Sequence, residues 1–152
     1  MQPRNRKAAG WCAIAVVCVS GLEGLRTVAY ADPVGIPTIC FGETKGVRLG
    51  DRATVEECRD MLASSLEIAN QSVNACVRTY LPDTRRAALV SFTYNVGGQA
   101  FCNSTLVRKL NAGDVVGACD QLLRWDLAKG IRLPGLTKRR AAERAMCLQG
   151  VT

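Results

Sequence analysis

Two carboxylic acids and one hydroxyl group lie close together near the start of this chain. Asp32 follows Glu23 by nine residues, Thr38 follows Asp32 by six, and a proline- and glycine-rich turn lies between them. Cleavage of a glycosidic bond needs one carboxyl group that donates a proton and a second that acts on the opposite side. The chain has no histidine, so carboxylates are the natural acid and base. The spacing also fits three surface residues at a helix end, a turn and a strand.

A helix and a small sheet are predicted to position these three residues. A helix from about Ala8 to Leu25 would place Glu23 near its carboxyl end. From about Arg26 to Leu49, prolines and glycines are mixed with residues that favour strands, which predicts a small antiparallel sheet. Asp32 would then lie on a strand or turn and face Glu23 across a cleft.

The remainder of the chain predicts helices. Thr54 and Glu57 form a capping box that opens a long helix, whose apolar face repeats as far as Cys76. This helix is expected to join two lobes. The later helices are a buried one that stops at Gly97, two that are capped by Ser104 and Asp114, and one from about Leu136 to Leu148. The predicted fold class is α+β and mostly α, with one small antiparallel sheet in one lobe and the helices in the other.

Charge and composition restrict the partners. The chain of 152 residues is expected to form one domain and carries a net charge of +7, which attracts anionic polymers and anionic membranes alike. Only 5% of the residues are aromatic, so the chain lacks the stacking platform of single-strand binders. We expect no nucleic-acid partner.

Eight cysteines are spread along the chain, with no CxxC pair and no histidine. This pattern argues against a zinc site, and no metal or cofactor is expected. An even number of spread cysteines is typical of an oxidising compartment, and we favour disulfides. The alternative is that several are buried free thiols, for which Cys58, Cys119 and Cys147 occupy suitable helical positions.

The N-terminal segment, residues 1–21, has the pattern of an export signal. Arg4, Arg6 and Lys7 precede an apolar run of about fourteen residues, which is typical of a signal peptide and shorter than the roughly 20 residues of a stable membrane span. Cleavage after Ser20 or Gly21 is one interpretation. An uncleaved anchor is the alternative, because cleavage would leave Glu23 almost at the new N-terminus. A core helix that never enters a membrane is the third.

Five sequence blocks resemble the phage lysozyme family, glycoside hydrolase family 24. They are residues 24–30, 35–42, 88–97, 104–111 and 133–140, and the resemblance extends from about Gly21 to Gly150. It implies a lysozyme-like fold and a muramidase that hydrolyses the β-1,4 bond between N-acetylmuramic acid and N-acetylglucosamine in peptidoglycan, which lyses the host cell. By the same resemblance Glu23 is the general acid, Asp32 activates or positions water, and Thr38 holds that water. The resemblance also implies inversion at the anomeric carbon. We expect the protein to be a monomer.

Arg139 corresponds to an arginine that pairs with the catalytic glutamate in the family. The alternative is a solvated member of the basic run that extends from Lys138 to Arg140. Where the family usually has a histidine after Gly42, this chain has Glu43, which we interpret as a surface residue that binds Lys45 and has no catalytic role.

Residues 1–21 are similar to the N-terminal segment of signal-arrest-release endolysins. This similarity implies export by the host, tethering to the inner membrane and later release into the periplasm, with residues 22–152 as the catalytic domain. Two other functions are kept as alternatives. One is a lytic transglycosylase, and the other is a non-catalytic cationic protein that binds wall or membrane.

Two disulfide pairings are favoured, Cys76 with Cys102 and Cys119 with Cys147. A bond from Cys40 to Cys12 or Cys18, in the N-terminal segment, is left open.

Overall fold

The computed structural model describes residues 10–151, so Arg4, Arg6, Lys7 and the rest of residues 1–9 lie outside the described part of the chain. The helices are α1 (Gly10–Leu22), α2 (Val55–Cys76), α3 (Asp83–Val96), α4 (Gly98–Cys102), α5 (Thr105–Asn111), α6 (Val115–Gln121) and α7 (Pro134–Leu148). The strands are β1 (Arg26–Ala31), β2 (Pro37–Cys40), β3 (Leu127–Ala128) and β4 (Ile131–Arg132), and a 3-10 turn covers Leu122–Arg124.

Helix α1 is part of the folded core. Trp11, Ala15 and Val19 recur every four residues on one face and are buried against α2 and α3. The backbone N–H of Glu23 donates to the carbonyl of Val19 at 2.8 Å, so the predicted helix ending near Glu23 is confirmed. Among the helices of residues 10–151, none combines the length and the apolar character needed to cross a membrane.

Strands β1 and β2 form the antiparallel sheet that carries the site. Tyr30 lies opposite Thr38, and the turn between the strands contains Gly35 at φ 84°, a left-handed conformation that glycine adopts without steric cost. The predicted sheet is confirmed in position, but its register shifts between Arg26 and Tyr30 and its strand pairing ends at Cys40. Beyond it only single bridges occur, such as the one between Ile39 and Glu43.

Helix α2 joins the sheet to the other helices. The Thr54 hydroxyl accepts from the N–H of Glu57 at 3.0 Å, and the Glu57 carboxylate accepts from the N–H of Thr54 at 3.4 Å. This confirms the predicted capping box. The helix contacts β2 as well as α1, α3 and α4, so it is the predicted connection between the two lobes.

Helix α3 is the centre of the helical lobe. Its segment from Ala87 to Thr93 is buried throughout, and it contacts α1, α2 and α7. The predicted end at Gly97 (φ 91°) and the predicted caps at Ser104 and Asp114 are confirmed. The fold is therefore α+β and mostly α, as predicted.

Several details of the helical lobe differ from prediction, among them the short helix α4, which was not predicted. Helix α7 begins at Pro134, two residues early, because proline is tolerated in the first turn of a helix. A second two-stranded sheet, β3 with β4, turns at Lys129 (φ 50°) and Gly130 (φ 77°). Strands of two residues are too short to show an alternating pattern, so the expectation of a single sheet was wrong.

Three disulfides connect the elements of the described chain. Cys76–Cys102 and Cys119–Cys147 confirm the two favoured pairings. Cys40 bonds to Cys58, so its pairing with a cysteine of the N-terminal segment was wrong. The physical reason is that β2 ends beside the first turn of α2. The alternative that Cys58, Cys119 and Cys147 are free thiols is also wrong, and the free thiols are those of Cys12 and Cys18.

Candidate active site

Glu23 lies just after α1, and its side chain is 31% exposed. The Arg139 guanidinium donates to Oε1 of Glu23 through Nη1. This contact connects the residue just after α1 with α7, 116 residues later in the sequence. A charged hydrogen bond of this kind holds the carboxyl group in one orientation.

Arg139 is buried and held by several partners. Its Nε donates to Oε1 of Glu143 at 3.1 Å, and its Nη2 donates to the carbonyl of Ser91 at 3.1 Å. The neighbouring Lys138 is exposed. The interpretation of Arg139 as a solvated member of a basic run is therefore wrong, because this face of α7 packs against α3 and Arg139 contacts Glu23, just after α1.

Glu143 is the hub of this buried network and has no exposed surface. Its Oε1 also accepts from the Ser91 hydroxyl at 2.8 Å, and its Oε2 accepts from Nη1 of Arg140. Arg140 in turn donates to the carbonyl of Trp125 at 2.9 Å and to Oδ1 of Asn95. Burial lowers the pKa of the Arg140 guanidinium, and the Glu143 carboxylate opposes that change.

Sequence reasoning missed Glu143 and Arg140. A signal was present, because Glu143 lies four residues after Arg139 and three after Arg140, which places the three side chains on one face of a helix. The same spacing is common on exposed helix faces. Only the packing of α7 against α3 distinguishes a buried network from a surface one.

Asp32 and Thr38 meet at the backbone of Ile36. Oδ1 of Asp32 accepts from the N–H groups of Val34 (2.9 Å) and Ile36 (2.8 Å). The Thr38 hydroxyl donates to the carbonyl of Ile36 at 2.9 Å. Oδ2 of Asp32 has no hydrogen-bond donor among residues 10–151. The turn therefore fixes the Asp32 carboxylate and leaves one of its oxygens available to a solvent molecule.

Tyr94 lies between the sheet and the catalytic candidates. Its hydroxyl donates to the carbonyl of Phe41, just after β2, at 3.4 Å. Burial raises the pKa of Tyr94 to about 12. The carboxylates of Glu43 and Glu23 contribute to this increase, and Arg139 opposes it. Tyr94 is thus near both carboxylates and connects the sheet to the Glu23 end of the site.

Glu43 faces α2 rather than solvent alone. Its Oε1 accepts from the Ser65 hydroxyl at 2.9 Å. No ion pair with Lys45 occurs within the described part of the chain, so the predicted pairing was wrong. The N–H of Glu43 donates to the carbonyl of Ile39 at 2.9 Å, and this tight turn directs the side chain towards α2.

No metal site is visible between residues 10 and 151, where no group of three or more potential ligands comes together. The two carboxyl groups differ in their surroundings instead. Glu23 contacts a buried ionic network, whereas Asp32 lies in a solvent-facing turn. Two carboxyl groups in unlike environments can take the separate roles of acid and base.

Comparison with known proteins gives matches over nearly the whole chain. Residues 20–143 match the family model described as phage lysozyme. The chain is 42% identical to the SAR-endolysin of Enterobacteria phage PA-2, and the match covers 99% of each protein. Its fold matches the endolysin of Escherichia coli O157:H7 phage FAHEc1 with a TM-score of 0.84 at 30% identity, over 99% of this chain and 98% of the other.

The P1 phage endolysin Lyz has been solved in two forms. The active form matches this chain with a TM-score of 0.81 at 27% identity, over 91% of this chain and 84% of the other. The secreted inactive form matches with a TM-score of 0.56 at 25% identity, over 71% and 77%. The arrangement of residues 10–151 is therefore closer to that of the active form.

Proposed function

This chain belongs to the phage lysozyme family and is a glycoside hydrolase of the lysozyme type, and we propose that it cleaves the β-1,4 bond between N-acetylmuramic acid and N-acetylglucosamine in peptidoglycan. Cleavage of the glycan strands would lyse the host cell. The net charge of +7 favours encounter with an anionic wall polymer.

Glu23 is the general acid in this proposal. Its proton passes to the glycosidic oxygen as the bond to the leaving sugar breaks. The contact of Glu23 with the buried Arg139 supports this role, because it holds the carboxyl group in one orientation while leaving part of it exposed to substrate. This contact is the observation on which the assignment depends most.

Asp32 and Thr38 act on the attacking water. Oδ2 of Asp32 takes up a proton from the water or orients it, and the Thr38 hydroxyl, which already donates to Ile36, accepts a hydrogen bond from it. The two N–H donors to Oδ1 of Asp32 hold the carboxylate in one orientation. Attack on the face opposite the leaving group inverts the anomeric carbon and releases the α-anomer.

The first test is Glu23→Gln. Glutamine can still accept from Arg139 but cannot donate an acidic proton, so hydrolysis of purified peptidoglycan should fall by about 10²-fold or more. Glu67→Gln is the matched control, because Glu67 is an exposed glutamate on α2, and its rate should equal that of the parent. Glu23→Gln protein that keeps its fold and retains activity within about tenfold would refute the acid assignment.

The second test identifies the products. Hydrolysis gives a reducing N-acetylmuramic acid end, and proton NMR of the fresh product should show the α-anomer first. A 1,6-anhydro end detected by mass spectrometry would replace hydrolysis with lytic transglycosylation. Binding to wall without any cleavage would favour the non-catalytic cationic protein.

Residues 1–21 tether the enzyme to the inner membrane after export in this proposal, and residues 22–152 form the catalytic domain. Release into the periplasm lets α1 pack against α2 and α3, the arrangement of the described residues. Mass spectrometry of protein made in a bacterium should find the same intact N-terminus in the membrane and periplasmic fractions. A periplasmic product that lacks residues 1–20 would contradict the tether and favour a cleaved signal.

The released enzyme is proposed to act as a monomer, with peptidoglycan as its partner and without binding nucleic acid. Light scattering should give the mass of one chain. A gel-shift assay at physiological salt should show no complex with DNA or RNA, since the few aromatic residues provide no stacking surface. A dimer mass or a shifted band would contradict these two proposals separately.

A further inference from the structure

The contact between Glu23 and Arg139 raises a difficulty for a general acid. A guanidinium within hydrogen-bond distance favours the ionised form of a carboxyl group. A general acid has to hold its proton until the transition state. Something in the structure has to weaken the effect of the Arg139 charge.

Glu143 is placed to do this. It is fully buried, and one of its oxygens accepts from Arg139 Nε at 3.1 Å. Its other oxygen accepts from Arg140. The Ser91 hydroxyl completes its shell at 2.8 Å. A buried carboxylate that is paired with two guanidinium groups offsets part of their positive charge.

We propose that Glu143 is a positioning residue for catalysis: its buried carboxylate orients the Arg139 guanidinium and neutralises it, so that Glu23 remains bonded to Arg139 and still keeps its proton. The inference depends on the proposed role of Glu23 as the acid. Glu143 is then the group that makes a bonded arginine compatible with a general acid at Glu23.

Other charged and titratable groups border this network from several elements. They are Cys18 on α1, Glu43 after β2, Tyr94 on α3, Asp126 after the 3-10 turn, and Arg139 and Arg140 on α7 itself. Among these, Glu143 alone contacts both Arg139 and Arg140. Its removal leaves Arg139, which contacts Glu23, and the neighbouring Arg140 without the carboxylate that joins them.

The test is Glu143→Gln, read as the pH dependence of kcat/KM on soluble, uncrosslinked glycan strands. The alkaline limb reports loss of the proton from the acid. It should move to lower pH by about one unit or more, so that the rate on that limb falls about tenfold at a given pH. Asp120→Asn is the matched control. Asp120, on α6, accepts a hydrogen bond at 2.8 Å from Arg144, which lies on the surface of α7, the helix of Glu143. The alkaline limb of this variant should not move.

Two further variants separate charge from packing. Glu143→Asp keeps the charge, so its alkaline limb should stay near that of the parent even if the rate is lower. Arg140→Gln removes a cation and should move the alkaline limb to higher pH. This variant tests the same charge effect if Glu143→Gln does not fold. In an Arg139→Gln background, the shift caused by Glu143→Gln should largely disappear, because the effect passes through Arg139.

A folded Glu143→Gln protein with an unmoved alkaline limb would overturn the inference, as would an Arg140→Gln limb that stays in place or moves to lower pH. An equal shift in Asp120→Asn would also overturn it. Failure of the proposed role of Glu143 can be distinguished from failure of the acid assignment of Glu23. If Glu23 is not the acid, Glu23→Gln retains activity, whereas failure of the present inference leaves Glu23→Gln inactive and the limb of Glu143→Gln unchanged.

Discussion

The Cys119–Cys147 disulfide should contribute strongly to stability, because it joins α6 to the helix that carries Arg139 and Glu143. Both sulfur-bearing side chains are buried. We consider replacement of both cysteines by alanine. The variant loses a covalent constraint on the unfolded chain, while the contacts of Arg139 with Glu23 and Ser91 are kept.

The size of the effect follows from the loop that the bond closes. The two cysteines are 28 residues apart, and the chain-entropy relation for a loop of this length gives about 3.6 kcal/mol of unfolding free energy. For a domain of this size, that loss lowers Tm by about 7–14 °C.

The assay is thermal and urea unfolding followed by circular dichroism under non-reducing conditions. Cys12→Ala is the control, since it makes the same substitution at a thiol that forms no disulfide in the described chain, and its Tm should change by less than about 3 °C. A Tm of the double variant within about 2 °C of the parent would refute the reasoning. The double variant should remain active at low temperature, because the ion pairs of Arg139 do not depend on the bond.

Three further predictions concern single groups. Burial and the carboxylates of Glu43 and Glu23 raise the pKa of Tyr94 to about 12, so an ultraviolet titration should contain a late phenolate step that Tyr94→Phe removes, and its persistence in that variant would contradict the assignment. Burial raises the pKa of the Cys18 thiol and Glu143 adds to the increase, so alkylation of Cys18 should accelerate only at pH above the ordinary thiol range; peptide mass spectrometry should find it faster in Glu143→Gln, and an unchanged rate would count against that neighbour. Thr54→Ala removes the cap of α2 and should lower the unfolding free energy by about 1 kcal/mol, and denaturation that matches the parent would show that the cap contributes little.

The local predictions succeeded where neighbouring residues decide the structure. The capping box of Thr54 and Glu57 and the end of α3 at Gly97 depend on contacts within a few residues, and both were predicted. The β3–β4 ribbon was missed for the opposite reason. Its strands are only two residues long, so no alternation of apolar and polar residues could reveal it.

The candidate site was predicted in part. The types and order of Glu23, Asp32 and Thr38 were readable because they lie within one short segment. The pairing of Arg139 with Glu23 was predicted only from the family resemblance, and a solvated surface position remained an alternative. The partner of Cys40 was predicted wrongly, since the contact of β2 with α2 is a property of the fold and not of the spacing of cysteines.

The sequence by itself indicated which groups could do the chemistry, since carboxylates are the natural acid and base in a chain without histidine, and it indicated most of the helices and the hairpin that carry them. Only the tertiary structure decided the environment of those groups. Glu143 and Arg140 have the same spacing that an exposed ion pair would have on a helix. They become a buried network, joined to Glu23 through Arg139, because α7 packs against α3, and burial against distant elements is not encoded in any short stretch of residues.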